Sequence, residues 1–239
     1  MSVLVTAIII TIAFFSESIF GFGGGLISIP LLSLILGVKD SVTVILIFQL
    51  LMGFLIFKTH KDTDWKIAIP MTVGLVIGTL LGTYSLSLVD DVFLRRFLAV
   101  SIMAFLLKMT IFKGFNFGKH KQTSWGVVAG LVGGWFQGMI GTGGPVFTMY
   151  MAVALPRKAA FRATLIYLFF ATSVVRVLVS IQTGLLNKRV FDLAWPAVIP
   201  FLIAIFVGQR VHHKIDDKYY RMAVWIILFF AAVTMLLKR

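Results

Sequence analysis

Apolar segments separated by short polar breaks take up nearly the whole chain of 239 residues. A helix needs about 20 residues to cross a bilayer, with a range of roughly 17–25, and eight of the ten segments are long enough. Because backbone groups find no water in lipid, such segments are expected to be helices. We therefore predict an all-α integral membrane protein with a single transmembrane domain over residues 1–239. The segments lie at 2–20, 25–37, 41–57, 67–88, 93–112, 124–140, 145–156, 160–181, 193–209 and 219–237.

The composition supports a surface that faces lipid. Hydrophobic residues make up 59% of the chain, whereas soluble domains hold roughly 45–50%. The net charge of +13 comes from basic residues in the short breaks, which is typical of membrane loops rather than of a nucleic-acid-binding face. The chain contains no cysteine, which excludes disulfides and thiolate metal sites. The first segment lacks a basic leader and a small-residue cleavage site, so we interpret it as mature protein.

The two short segments, 25–37 and 145–156, each follow a glycine cluster. Short, glycine-interrupted segments at matching places in two halves are typical of broken helices around a transport site. Glycine suits such a break because it permits positive φ, and the helix that follows begins with unpaired N–H groups that can hold an anion. The alternative is that small residues let membrane helices pack closely. The clusters are Gly21, Phe22, Gly23, Gly24 and Gly25, and Gly141, Thr142, Gly143, Gly144 and Pro145.

The clusters belong to an internal repeat of about 1–114 and about 124–239. A shift of 120 residues superposes the clusters, and a shift of 126 superposes later positions in the same order. Each repeat holds an odd number of segments, so the second is inverted relative to the first. We predict that each repeat contains a Gly-rich broken or re-entrant helix hairpin followed by three transmembrane helices. The later matches pair Pro70 with Pro196, Gly82 with Gly208, and Arg95 with Arg221.

The basic residues of the loops indicate a topology. Fourteen Lys and Arg residues fall on one side of the predicted membrane and seven fall on the other. Because cytoplasmic loops carry the excess of positive charge, the richer side is predicted to be cytoplasmic. Both termini then lie outside the cytoplasm, and we expect the protein in the cell inner (plasma) membrane as a multi-pass protein.

Few charged or amide side chains lie inside the segments. Glu17 precedes the first cluster by four residues, as Gln137 precedes the second. An ionisable group within a membrane points to function, so Glu17 could exchange a proton during transport; the alternative is a place in an aqueous vestibule. Arg176 could bind an anionic substrate, pair with Glu17 or extend to the membrane surface. Gln49 lies in the middle of its segment and could donate to an oxyanion.

The other polar residues of the segments more often have local roles. Membrane hydroxyl groups commonly bond to nearby backbone or pack against neighbouring helices, although they can also donate to a substrate. The four histidines fall in predicted loops, and we assign no metal site to them. The hydroxyl residues in question are Ser28, Thr142, Thr148, Thr172 and Ser173.

The stretches GFGGGLISIPLL and GMIGTGGPVFTMYMA each open one half of the chain and resemble the TauE/SafE sulfite exporter family. The resemblance extends from about Ile10 to Leu237. It implies a permease for a small anion, since many family members are linked to sulfite, organosulfonates or thiosulfate. The motifs do not specify which anion. The predicted substrate-binding residues are Gly21, Phe22, Gly23, Gly24, Gly25, Gln49, Gly141, Thr142, Gly143, Gly144 and Arg176.

A carrier that works by alternating access is the first functional hypothesis. An anion channel of the same fold is the alternative, because the sequence does not separate the two, and a non-transporting membrane scaffold comes after it. We do not expect an enzyme, since no loop exceeds roughly 15 residues and no catalytic set lies in a segment. The expected partners are a small anion and the lipid bilayer, without a cofactor or nucleic acid. The sequence leaves a homodimer open.

Overall fold

The computed structural model describes residues 2–20, 23–56, 62–111, 122–155, 157–211 and 217–237. All regular structure in these ranges is helical, and no strand occurs in them. Ten of the eleven α-helices in these ranges follow the predicted apolar segments closely, whereas α9 and a 3-10 helix were not predicted. The helices are α1 (Ser2–Phe20), α2 (Gly24–Leu36), α3 (Val38–Ile56), α4 (Trp65–Leu88), α5 (Asp91–Ile111), α6 (Gln122–Ile140), α7 (Gly144–Ala154), α8 (Lys158–Gln182), α9 (Lys188–Ala194), the 3-10 helix Trp195–Ala197, α10 (Val198–Val211) and α11 (Asp217–Leu237).

The segment predicted at 193–209 has a different form in the structure. It begins earlier, at α9, where the Asn187 side chain accepts a hydrogen bond from the Val190 N–H and caps the helix. A 3-10 turn that contains Pro196 then separates α9 from α10. Proline lacks the N–H that a continuous α-helix needs, which explains the break.

Four helical stretches of the described ranges are long and apolar enough to cross a membrane. Three further apolar stretches are shorter, and α1 and α2 contribute two of them. The predicted spans at 93–112 and 124–140 correspond to α5 and α6 and stay predictions. The four long stretches are Val38–Leu55, Trp65–Leu88, Ala163–Gln182 and Lys188–Arg210.

The chain forms two compact units, whose bounds differ from those of the two predicted repeats. Unit 1 comprises residues 1–45, 89–113 and 187–239. In it α1 packs against α2 and α10, and α11 packs against α5 and α2. The rings of Phe14 and Phe201 meet edge to face with centroids 5.0 Å apart, which fixes the contact between α1 and α10.

Unit 2 comprises residues 46–88 and 114–186. Its main contact is between α4 and α6, and α4 also packs against α8. Helix α7 is short and packs against α6 and α8. All residues of the second glycine cluster therefore lie in this unit, together with Gln49 at the C-terminal part of α3 and Arg176 on α8.

Glycines make the contact between α4 and α6 unusually close. A Cβ added at Gly74, Gly78 or Gly82 would overlap backbone carbonyl oxygens of α6, and a Cβ added at Gly130 would overlap the backbone of α4 in the same way. Since membrane helices gain little from the hydrophobic effect between them, such close backbone approach is a main source of their association. The close approach of these two helices is therefore the main packing contact of unit 2.

Aspartates at helix ends satisfy backbone donors that the helices leave open. The Asp90 carboxylate accepts from the Phe93 N–H at 2.9 Å at the start of α5, and this bond is the main reason that the pKa of Asp90 lies below its usual range. The neighbouring Asp91 carboxylate accepts from the Lys39 N–H at 3.1 Å, so it stabilises the first turn of α3.

Candidate functional site

Four residues of unit 2 form a buried hydrogen-bond network around the second glycine cluster. The Gly143 N–H donates to Gln137 Oε1 at 2.6 Å. Gln137 Nε2 in turn donates to Gln49 Oε1 at 3.3 Å, and Arg176 Nη1 donates to the same oxygen at 2.7 Å. Helices α3, α6 and α8 and the turn before α7 thus converge on two amide side chains.

The chemistry of the donors fixes the direction of both amides. Gln137 must present its oxygen to the Gly143 N–H, so its nitrogen faces Gln49. Gln49 must present its oxygen to the Arg176 guanidinium, which has donors only. The hydrogen bonds that the described residues make with Gln49 all end on that oxygen, so its Nε2 group keeps both donors for another acceptor.

Arg176 brings a positive charge into the interior of unit 2. The residue is 1% exposed and is the largest fully buried side chain of the described structure. Its guanidinium donates to Gln49 in the interior of unit 2. Burial of a cation costs several kcal/mol by the usual order of magnitude, so such a site gains from a bound anion.

The first turn of α7 adds backbone donors beside this network. The Gly143 carbonyl accepts from the Val146 and Phe147 N–H groups, whereas Pro145 has no N–H. The Gly144 N–H has no partner among the described residues. A helix start of this kind carries a partial positive charge and an open donor, both of which favour an anion.

The corresponding place in unit 1 carries a carboxylate instead of an amide. Glu17 is 7% exposed and accepts a hydrogen bond from the Gly24 backbone at the start of α2. A Cβ at Gly24 would meet the Glu17 carboxylate oxygen, so any larger residue here would displace the Glu17 side chain. Gly23, just before it, has a φ of 118°, which few residues other than glycine adopt.

The structure places the predicted site residues in two groups. Gln49, Gly143 and Arg176 come together in the network, and Glu17 and Gly24 come together in unit 1. The roles of these residues in binding or proton exchange stay predictions. Gly25 lies buried in α2, while Gly141, Thr142 and Gly144 lie buried at the α6–α7 turn. Gly21 and Phe22, and also the four histidines, lie outside the described residues.

Several hydroxyl groups have the local role that membrane helices favour. Ser28 donates to the Gly24 carbonyl, and both Thr172 and Ser173 donate to the Phe169 carbonyl at 2.8 Å. Phe169, which the predicted repeat matches with Gln49, packs against Phe147 with ring centroids 6.0 Å apart. The amide position of one repeat is therefore an aromatic packing position in the other.

Gln137 is the central residue that the list of predicted binding residues omits. It bridges the glycine turn and Gln49, and it is fully buried. The sequence does contain a pattern that points to Gln137, because Gln137 and Glu17 both lie four residues before their glycine clusters. Its partner Gln49 lies 88 residues away along the chain, and no local pattern reveals that contact.

Comparison with known proteins covers nearly the whole chain. A sequence model of the family described as Sulfite exporter TauE/SafE matches residues 6–235. The chain belongs to this family. A relative described as a probable membrane transporter protein, from Methanocaldococcus jannaschii, is 22% identical over 243 residues, which cover 92% of this chain and 90% of the relative. No solved structure gives a significant match.

Membership of the TauE/SafE family places the buried polar groups in the interior of a membrane transporter. The chain is a multi-pass membrane protein and a membrane transporter, as the apolar helices and the transporter relative both indicate. In a TauE/SafE transporter, buried polar groups within apolar helices are the first place to seek substrate contacts.

Proposed function

We propose that this protein is a permease for a small sulfur-containing oxyanion or organosulfonate. The observation that carries the proposal is the buried Arg176 guanidinium, held against Gln49 beside the start of α7. Within the described residues of unit 2, the buried polar side chains are amides, hydroxyls and this one guanidinium, without a carboxylate. A cation substrate needs oxygen ligands that are commonly carboxylates, so this set favours an anion.

Each residue of the network has a distinct role in the proposal. Arg176 supplies positive charge, and the free Nε2 donors of Gln49 and the Gly144 N–H supply hydrogen bonds to the substrate oxygens. Gln137 is a positioning residue, because it holds both the turn and the Gln49 oxygen in place. An oxyanion with several acceptor oxygens fits a site with several separate donors better than a halide does.

The description of the matching family supports sulfur in the substrate. Sulfite and organosulfonates carry two or more oxygens on one sulfur atom, which suits donors that approach from different helices. The network alone supports an oxyanion as the substrate. The family description adds the support for sulfur in that oxyanion.

We further propose transport by alternating access of two inverted repeats. Under the repeat shift, α6 corresponds to α1 and α4 corresponds to α10. Unit 1 packs α1 against α10, and unit 2 packs α6 against α4, so the helix before each glycine turn contacts a helix of the other repeat. Inverted repeats with broken helices are the usual basis of alternating access. In this scheme both termini lie outside the cytoplasm, in the inner (plasma) membrane.

Purified protein and proteoliposomes test the substrate class. Sulfite, sulfate, thiosulfate, a small organosulfonate, acetate and chloride are compared by thermal shift and then by uptake. Stabilisation by a sulfur oxyanion, with saturable flux of the same ion, is the expected result. Stabilisation by acetate and chloride alone would contradict the sulfur assignment, and flux that does not saturate would favour a channel.

Replacement of Gly144 by leucine should weaken binding of the anion about tenfold or more. A Cβ at Gly144 would lie 3.1 Å from the Phe169 ring, and the rest of a leucine side chain would cover the backbone donors at the α7 start. Loss of one hydrogen bond to a charged group corresponds to roughly tenfold weaker binding or more. The measurement is anion affinity by thermal shift in Gly144→Leu.

The matched control for this change is Gly144→Ala. Its single methyl group meets only the edge of the Phe169 ring, which can move by a few tenths of an ångström. Alanine should therefore keep most of the affinity. Equal anion affinity in parent and Gly144→Leu, in protein that still inserts, would remove the α7 start from the site.

Replacement of Glu17 by glutamine should weaken the dependence of transport on the proton gradient. Glutamine can still accept the Gly24 hydrogen bond through its oxygen, as Gln137 does toward Gly143, so the fold should persist. It does not exchange a proton. We expect uptake that changes less with the pH gradient than in the parent, measured in proteoliposomes with the inner pH varied.

The control for Glu17→Gln is Asp90→Asn, which alters an exposed carboxylate at a helix end. Its uptake should respond to the gradient as the parent does. An identical pH response in Glu17→Gln and parent would exclude Glu17 from proton coupling while leaving the anion site in place.

A further inference from the structure

The starts of α2 and α7, which the predicted repeat matches with each other, differ in one backbone donor. At the α2 start, the Gly24 N–H donates to the Glu17 carboxylate. The predicted repeat matches Gly24 with Gly144, whose N–H has no partner among the described residues. The same donor is therefore occupied by the protein itself at α2 and is open at α7.

The space beside each of these glycines shows the same difference. A Cβ built at Gly24 would overlap one carboxylate oxygen of Glu17 and would lie 3.1 Å from its carboxyl carbon. A Cβ built at Gly144 would meet only the Phe169 ring among the described residues, at 3.1 Å. A carboxylate thus fills the place beside the α2 start, whereas no polar side chain of the described residues fills the matching place at α7.

The shape of the backbone explains why Gln137 does not close the α7 start as Glu17 closes the α2 start. The Gln137 oxygen accepts from the Gly143 N–H, one residue before the donor that Glu17 uses in the matched turn. Gly23 has a φ of 118° and Gly143 a φ of −73°. The two turns therefore present different N–H groups to the side chain that lies four residues before each cluster.

The buried charged groups of the two units have opposite signs. In the described part of unit 1, the buried polar side chains are hydroxyls and the Glu17 carboxylate, without a cation. In the described part of unit 2 they are hydroxyls, amides and the Arg176 guanidinium, without a carboxylate. Because charges interact more strongly in a low dielectric, an anion is favoured in unit 2 and opposed in unit 1.

We propose that Glu17 excludes the transported anion from the α2 start, so that each chain binds one anion, at the α7 start of unit 2. The inference rests on the proposed function, because it takes the α7 start as part of the anion site. Glu17 is attached to the chain and competes for the Gly24 N–H at a high effective concentration. A Glu17 side chain that has taken up a proton fills the same space and still accepts from Gly24, so it excludes the anion in both forms.

The number of anions bound per chain tests this inference first. Purified full-length protein in detergent is titrated by equilibrium dialysis with radiolabelled sulfite and, separately, with radiolabelled methanesulfonate. We expect one anion per chain at saturation. Two anions per chain would overturn the exclusion by Glu17 and leave the proposed function in place. Binding of neither anion would refute the proposed function, and the inference with it.

Removal of the carboxylate should open the α2 start to an anion. In Glu17→Ala we expect a second anion per chain, bound about a hundredfold more weakly than the first, because the described part of unit 1 holds no buried cation. Glu17→Gln is the control for occupancy, since its amide keeps the shape and the acceptor for Gly24, and it should still bind one anion per chain. A single anion per chain in Glu17→Ala, at concentrations that saturate a site about a hundredfold weaker than the first, would overturn the proposal.

The reciprocal change places a carboxylate in unit 2. Gln137→Glu should weaken anion binding about a hundredfold or more, because the new carboxylate repels the anion and competes with it for the Arg176 guanidinium. Gln182→Glu makes the same change at an exposed position at the end of α8 in the same unit, and it should bind as the parent does.

A second variant at the same position separates charge from packing. Gln137→Leu removes the hydrogen bonds to Gly143 and Gln49 without adding charge. It should therefore bind the anion at least about tenfold more tightly than Gln137→Glu does. Equal anion affinity in the two variants, or parental affinity in Gln137→Glu, would overturn the proposal that a carboxylate at this place excludes the anion.

Discussion

Replacement of Arg176 by glutamine should abolish stabilisation of the protein by its anion. The guanidinium is the one cation within the buried polar set of unit 2, as far as the structure describes it. Loss of a buried charge together with its hydrogen bonds corresponds to a fall in affinity of about a hundredfold or more. The measurement is the concentration of sulfite or organosulfonate that gives half of the maximal thermal shift.

The stability of the anion-free protein separates a binding role from a structural one. A buried guanidinium has a large desolvation cost, so its replacement by a neutral amide should leave the unfolding temperature without anion similar or higher. Arg176→Lys keeps the charge but loses the planar fork, and it should bind with intermediate affinity. Arg96→Gln is the exposed control. An Arg176→Gln protein with parental affinity would contradict the proposed site.

The helices themselves could be predicted closely from the sequence. Long apolar runs end at charged residues, prolines or glycines, so the bounds of α4 and α8 lie within two residues of the predicted segments. The break before α10 was missed because hydropathy averages over Pro196, whereas helix geometry depends on its missing N–H. Hydropathy therefore predicts which segments lie in lipid, but it does not predict where a helix is interrupted.

The candidate site could be predicted only in part. Gln49 and Arg176 stand out because polar residues are rare within apolar runs. That Arg176 donates to the Gln49 oxygen could not be predicted, since the two residues lie 127 positions apart and the contact depends on how α3 and α8 pack. The central position of Gln137 depends on the same packing. It follows from the hydrogen bonds that its amide makes with Gly143 and Gln49.

The division into compact units shows a similar limit. The repeat was read from matched positions along the chain, and these carry no information about which helices pack together. In the structure, unit 1 includes α1 and α2 from the first repeat and α9, α10 and α11 from the second. The predicted repeats and the compact units therefore group the helices of this protein differently.

Replacement of Gly78 by leucine should cause the largest loss of stability among single changes in unit 2. A Cβ at Gly78 would overlap the Leu131 carbonyl oxygen of α6, and the backbone has no rotamer with which to move away. The helices would have to separate, at a cost of about 3 kcal/mol or more. The free energy of unfolding in a detergent titration measures this loss, with Ile77→Leu as the control because Ile77 is 50% exposed. Equal stability of the two variants would show that α4 and α6 do not depend on close approach, and the Gly74 and Gly82 contacts would then lose their assigned role as well.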